Sequence, residues 1–183
     1  MGKAKIAVVI GSLRKGSFNR QLAGAVEKLA ADRFEFAEAG IGEIPLYNQD
    51  HDADFPAAGL RFKQQIEAAD ALLIVTPEYN RSIPGVLKNA IDTGSRPPSR
   101  NSFQGKPAAV IGTSPGARGS MLAQQHLRNV LVGVGVLAMP QPEVAVQFKE
   151  GLIDAEGNIT DERTRNYLQG FAERFDAWLR KPI

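Results

Sequence analysis

Directly after the apolar run KIAVVI, residues 11–20 read GSLRKGSFNR. These residues carry what an anion needs: hydroxyls at Ser12 and Ser17, an amide at Asn19 and a guanidinium at Arg14. The spacing of Gly11 and Gly16 is that of a triphosphate-binding loop, but Ser17 and Phe18 stand where that motif has Lys and Ser/Thr. The missing Lys would reach the β- and γ-phosphates, the missing hydroxyl would hold magnesium, and an Asp at another strand end usually completes the metal site. The other strands end in LLIVTPE and AAVIGTS, so nucleoside triphosphate hydrolysis is disfavoured. The dinucleotide pattern G-x-G-x-x-G is also broken, because Leu13 occupies its second glycine. What remains suits one terminal monophosphate, bound without metal at a helix N-terminus worth about half a positive charge. The same residues also make a plain turn with Ser17 or Asn19 capping the helix, and the loop alone leaves both readings open.

A second loop, TPEYNRSIPG, adds chemistry of a different kind. Pro77 restricts the backbone, while Glu78, Tyr79 and Asn80 offer a carboxylate, an aromatic face and an amide. Read blandly, it is a solvent loop ahead of a helix with an N-terminal proline. Polar atoms and exposed main-chain groups around a planar heterocycle are what a flavin's pyrimidine edge and N5 require. A third glycine loop, GTSPGARGS, is available to close around such a ring.

The elements that position these loops alternate along the chain. Residues 5–11 and 34–39, ALLIV in 71–75, AAVIG after Pro107, and GVLAMP read as five strands. Between and after them lie helix-period segments: 18–33, with Leu22, Val26, Leu29 and Ala30 on one face, then 58–70, 83–93 with Pro84 in a first turn, 121–134 and 160–181. In the last of these, Asp161 and Glu162 suit the helix dipole. Strands alternating with helices imply an α/β fold, a doubly wound five-stranded parallel sheet with helices on both faces. For the strand order 2-1-3-4-5, ligands bind beyond the carboxyl ends at the switch point between the first and third strands. The three unusual loops fall there.

Composition narrows the function further. The chain has 183 residues, which predicts one domain over 1–183 with a sizeable core. With no cysteine, dithiol redox chemistry, thiolate metal sites and a Cys nucleophile are excluded, so redox work needs a cofactor. The formal net charge of +2 comes from interleaved acids and bases and does not argue for nucleic acid. The five-residue apolar run near the N-terminus is too short for a signal peptide and no stretch approaches bilayer length, so the expectation is a cytoplasmic protein without a membrane partner.

Together, GSLRKGSFN and TPEYNRSIPGVLKNAID resemble the two signature segments of the NADPH-dependent FMN reductase family, in its chromate and quinone reductase branch. GKPAAVIGTSPG is similar to the third segment, and the resemblance runs over almost the whole chain. It implies a flavodoxin-like fold, bound FMN, and electron transfer from NADPH or NADH to quinones, flavins, azo compounds or chromate. By the same resemblance Ser12, Arg14, Ser17, Phe18 and Asn19 form the phosphate loop, and Pro77, Glu78, Tyr79 and Asn80 face the isoalloxazine. Thr113, Ser114 and Gly116 contribute from the third loop. It further implies a homodimer or homotetramer, with Arg96 a candidate interface residue. Thr93, where the family often has an aromatic, and Pro115 and Arg118 depart from the pattern and bear on substrate contacts or the interface.

One domain with one nucleotide cleft leaves no separate site for the nicotinamide donor, so donor and acceptor should alternate over one flavin face in ping-pong fashion. No side chain is expected to act as nucleophile; flavin N5 carries the hydride. The competing class is a flavodoxin-type electron carrier without NAD(P)H turnover, which the basic charge balance disfavours; a phosphate-binding module without flavin is a third. His51, among loop acids in NQDHDAD, fits no metal-ligand template, and no metal is expected. His126 reads as a helix packing or surface residue. The stripe Tyr167, Phe171, Phe175 and Trp178 reads as core, and SRPPSRN as an anion-steering patch, a polar loop or a subunit contact.

Overall fold

The structure is a computed structural model that describes residues 2–181. Short runs of branched aliphatic residues form the central strands β1 (Ala4–Ile10), β3 (Ala71–Val75) and β4 (Pro107–Ser114), with β2 (Phe34–Glu38) at one edge. All pair in parallel, in the order β2-β1-β3-β4, with β5 (Leu137–Ala138) beyond β4. Pairing Ile6 with Ala71 and Leu72 with Ala108 sets the register of the three buried strands.

The fifth position differs from the reading of one strand in GVLAMP. β5 keeps only two residues, and a separate strand β6 (Val144–Gln147) pairs with the other end of β4, Ile111 opposite Val144. Pro140 and Pro142 lie between the two segments and cannot donate to a ladder, so the strand breaks there and resumes.

Side-chain alternation along the central strands divides the interior into two layers. Ile6, Val8 and Ile10 with Ala71, Leu73 and Val75 face α1 (Phe18–Leu29) and α5 (Glu162–Leu179), packing against Leu22, Val26, Leu168, Phe171 and Phe175. Ala7, Val9, Leu72 and Ile74 face the other way, onto α2 (Ala57–Glu67), α3 (Gly85–Gly94) and α4 (Met121–Gly133) through Phe62, Ile66, Leu87, Ile91, Leu127 and Leu131.

Two helix starts sharpen the sequence reading. Pro84 is the residue before the first turn of α3, extended at ψ 145°, and not within that turn. Asp161 caps α5, its carboxylate accepting from the amide of Thr164 at 2.7 Å. In the aromatic stripe of α5, Phe171 and Phe175 are core and Trp178 packs half-buried against Phe175. Tyr167 stays exposed, and Leu168 takes the buried place. No helix among the described residues is long and apolar enough to cross a membrane.

Candidate functional site

Three loops leave the carboxyl ends of adjacent strands and meet. The amide of Gly11 donates to Val75 O at 2.9 Å and that of Thr76 to Ile111 O at 3.0 Å, so the ends of β1, β3 and β4 are level where the loops begin. Gly112 makes the packing possible: a Cβ there would collide with the Ser120 hydroxyl and the Thr76 carbonyl.

In the first loop, Ser17 caps α1 in extended conformation (φ −61°, ψ 123°), its hydroxyl oxygen accepting from the Arg20 amide at 3.3 Å. The hydroxyl keeps its own proton to donate. Buried Ser12 accepts weakly from the Arg14 amide at 3.4 Å. The amides of Phe18 and Asn19 in the first turn of α1 have no partner among the described residues, as helix starts require unless something binds there. The Arg14 guanidinium lies 4.4 Å over the Phe18 ring and joins no ion pair among the described residues. Asn19 is buried and its side chain pairs twice with Thr113, Nδ2 donating to the carbonyl at 2.9 Å and Oδ1 accepting from the amide at 3.0 Å. That side chain therefore joins the first loop to the third.

The second loop is tied down at two points. The Glu78 carboxylate accepts from the amides of Leu122 and Ala123 at 3.0 and 3.2 Å, capping α4 from 44 residues away. It does so because Ser120, the residue preceding α4, is left-handed (φ 76°) and its side chain makes no cap. Ser82 Oγ lies 2.6 Å from His126 Nδ1 on α4, which gives His126 a role as an anchor of this loop. Between these ties, Tyr79 and Ser82 exchange two main-chain bonds of 2.9 Å around Asn80 and Arg81, both at positive φ (51° and 65°). This is the two-residue turn with both central residues left-handed, an unusual conformation for Arg. It holds Tyr79, Asn80 and Arg81 exposed on a rigid support, while Pro77 is half-buried beneath.

The third loop is held from the other side by the residues of β6 and after. Thr113 Oγ1 donates to Val146 O at 2.6 Å, Phe148 N to Ser114 O at 2.8 Å and Gln147 Nε2 to Pro115 O at 3.1 Å. Ser114 is half-buried, and Gly116 and Arg118 are exposed. Phe148 is the residue that sequence reading missed. Its ring stacks on Phe18 at 4.0 Å and 18°. The only signal for it was an aromatic closing the alternating VAVQF, in a strand hidden behind two prolines.

Other residues singled out earlier lie elsewhere. His51 is exposed on a short 3-10 turn, Gln49–His51. Arg96 is exposed in the SRPPSRN segment, whose backbone is gathered around one amine. Buried Lys63 donates to the carbonyls of Gly94, Arg96 and Arg100 at 3.0, 2.8 and 2.5 Å. Thr93 is buried with its hydroxyl unpartnered, beside Phe55. Among the described residues no cluster of His, Cys, Asp and Glu could hold a metal ion.

The donor set therefore has two ends. One offers an unpaired guanidinium, two serine hydroxyls and two free amides, which suits a phosphate monoester. The other offers a rigid, exposed turn with aromatic and amide groups and the main chain of the third loop, which suits a planar polar ring.

Comparison with known proteins gives the family and the fold. Residues 4–151 match the model of the family described as NADPH-dependent FMN reductase. The chain is similar to a 2-hydroxy-1,4-benzoquinone reductase of Burkholderia sp, 56% identical over 96% of each chain. It is also similar to a solved structure of FerB, a flavoenzyme NAD(P)H:(acceptor) oxidoreductase from Paracoccus denitrificans. There the TM-score is 0.93 at 50% identity, covering 96% of this chain and 97% of that one. A flavodoxin from Pseudomonas aeruginosa, 19% identical with a TM-score of 0.58 over 97% of this chain and 99% of its own, shares the fold alone. The fold is thus flavodoxin-like, and the chain belongs to the NADPH-dependent FMN reductase family, as an enzyme that works with FMN and a reduced nicotinamide nucleotide.

Proposed function

We propose that the protein takes electrons from NAD(P)H and delivers them to quinones, with free flavins, azo compounds and chromate as further acceptors, donor and acceptor occupying one cleft in turn. The observation that carries this reading is the junction of three loops, with phosphate-suited donors on the first and a ring-suited turn on the second. The name of the Burkholderia relative, a benzoquinone reductase, supports quinones as the acceptor class.

In this reading Arg14, Ser12, Ser17 and the free amides of Phe18 and Asn19 hold the FMN phosphate. The Asn19 side chain keeps the start of α1 against β4. Pro77, Glu78, Tyr79 and Asn80, with Thr113, Ser114 and Gly116, border the isoalloxazine. Glu78 acts there through its main chain and by holding α4, since its carboxylate faces the helix amides. When bound, FMN would supply the redox chemistry, two-electron transfer between NAD(P)H and the acceptor. The chain's part is to bind, orient and polarise, and no side chain forms a covalent intermediate. We place the enzyme in the cytoplasm as a homodimer or homotetramer, with Arg96 near the subunit interface.

The purified protein should be yellow, or become so with FMN, and should oxidise NADPH steadily in the presence of a quinone. Initial-velocity lines with both substrates varied should be parallel. Intersecting lines would exclude alternating occupancy. FMN binding without NAD(P)H turnover would make the protein an electron carrier, and no flavin spectrum at all would end the reading.

A further inference from the structure

We infer that Phe148 is a positioning residue for cofactor selection: through Phe18 it holds the Arg14 guanidinium at the phosphate end of the cleft, so that FMN is preferred over riboflavin. This rests on the FMN reading above and adds to it a residue outside the loop that carries the phosphate donors.

Three groups lie in contact, Phe148 on Phe18 and Phe18 under Arg14. The Phe148 ring lies on the Phe18 ring, centroids 4.0 Å apart and planes 18° from parallel. The Arg14 guanidinium carbon lies 4.4 Å from the Phe18 centroid. The stack has a firm base, because Phe148 is tied by its amide to Ser114 O at 2.8 Å, and Ser114 belongs to β4. Phe18 is the first residue of α1, fixed by the Ser17 cap before it and the Asn19 pair with Thr113 after it. Arg14 is exposed on a loop, and among the described residues its head group has no hydrogen-bond or ion-pair partner.

A guanidinium held over an aromatic face is retained by the ring and not by an acceptor, so its N–H groups stay available. A carboxylate would have taken the same guanidinium through those N–H groups, the ones a phosphate uses. The stack thus limits the rotamers of a flexible side chain without occupying its donors, which lowers the entropy lost when phosphate binds. Riboflavin lacks the phosphate and gains nothing from this arrangement. Loss of the stack should therefore change the ratio of the two affinities, whereas general damage to the cleft would weaken both alike.

The test uses the full-length protein freed of flavin and titrated with FMN or riboflavin, following the quenching of flavin fluorescence, with F148A, F148Y, F18L and R14A beside the wild type. F148A, which leaves the Phe18 face in place but removes its support, should weaken FMN binding about two- to fivefold, no more than loss of one exposed cation–π contact, and leave riboflavin unchanged within error. F148Y should restore the ratio. F18L, which keeps bulk but removes the face under the guanidinium, should lower the ratio as F148A does, and it decides the matter if F148A does not fold. R14A sets the largest loss of ratio that the stack can produce. Wild-type protein that binds neither flavin overturns the FMN reading itself. Wild-type protein that binds FMN, with an unchanged ratio in F148A and F18L, overturns only the role of the stack.

Discussion

Glu78 shows how one residue of a signature loop serves the fold before it serves the cofactor. The resemblance to known reductases implied a residue facing the isoalloxazine, but its carboxylate accepts two amides at the start of α4. That use was illegible because the partner lies 44 residues on, and because nothing in SPGARGS announces that Ser120 turns left-handed and leaves α4 without its own cap. The anchoring carboxylate also meets the positive end of the helix dipole, so removing it loses a cap and a charge interaction together. E78A should destabilise the protein by about 1–2 kcal/mol in denaturant unfolding. E78Q, which keeps an acceptor and loses the charge, should fall between E78A and wild type. Equal stability of all three would mean that water replaces the carboxylate at no cost. By contrast, a cap by Ser17 or Asn19 was legible as one of two readings of the loop, since either residue before an amphipathic run suits an N-cap, and the structure gives that role to Ser17. The tie between Asn19 and Thr113 was not, because a side chain that bonds across 94 residues leaves no local pattern.

At the scale of elements, apolar runs and helical periodicity were enough for β1 to β4 and all five helices, each displaced by at most a few residues. They failed where tertiary pairing overrides local signals. β6 holds four residues between a proline-broken turn and a polar segment, and it exists because β4 extends to Ser114 and offers a free edge. The segment SRPPSRN was likewise opaque, since its three alternatives were argued from its own side chains and its conformation depends on Lys63, from α2. That amine meets three carbonyls at the end of α3 and beyond, and only 5% of the residue is exposed. K63M keeps the apolar stem and leaves those carbonyls without their donor, at a cost of about 2–3 kcal/mol. For a chain of this length the loss should appear as a melting temperature lower by about 5–10 °C. A shift smaller than about 2 °C in scanning calorimetry would show that solvent reaches the carbonyls and that the segment holds its shape unaided.

At the scale of the whole molecule, the two ends of the sheet do different work. The amino ends of β2, β3 and β5 are entered through turns of three or four residues and that of β4 through the longer segment 95–106, while the carboxyl ends of β1, β3 and β4 carry the loops with the phosphate donors and the exposed left-handed turn. This polarity was legible from strand order alone, because a parallel doubly wound sheet opens its crevice where the winding reverses. The proposed placement of FMN makes the polarity measurable. A ligand held by the phosphate donors and by the turn at once bridges three loops, so it should slow their local opening. It should also stabilise the native state by about 2.7 kcal/mol at a hundredfold excess over its Kd. Hydrogen exchange with and without FMN should therefore show added protection at residues 12–19, 76–82 and 113–119. The turns at residues 30–33 and 68–70, at the amino ends of β2 and β3, should gain only what global stabilisation gives the whole chain. If protection instead fell on the 76–82 and 113–119 loops and spared 12–19, the ring would be bound where proposed and the phosphate would not. The first loop would then be a turn with a cap and nothing more.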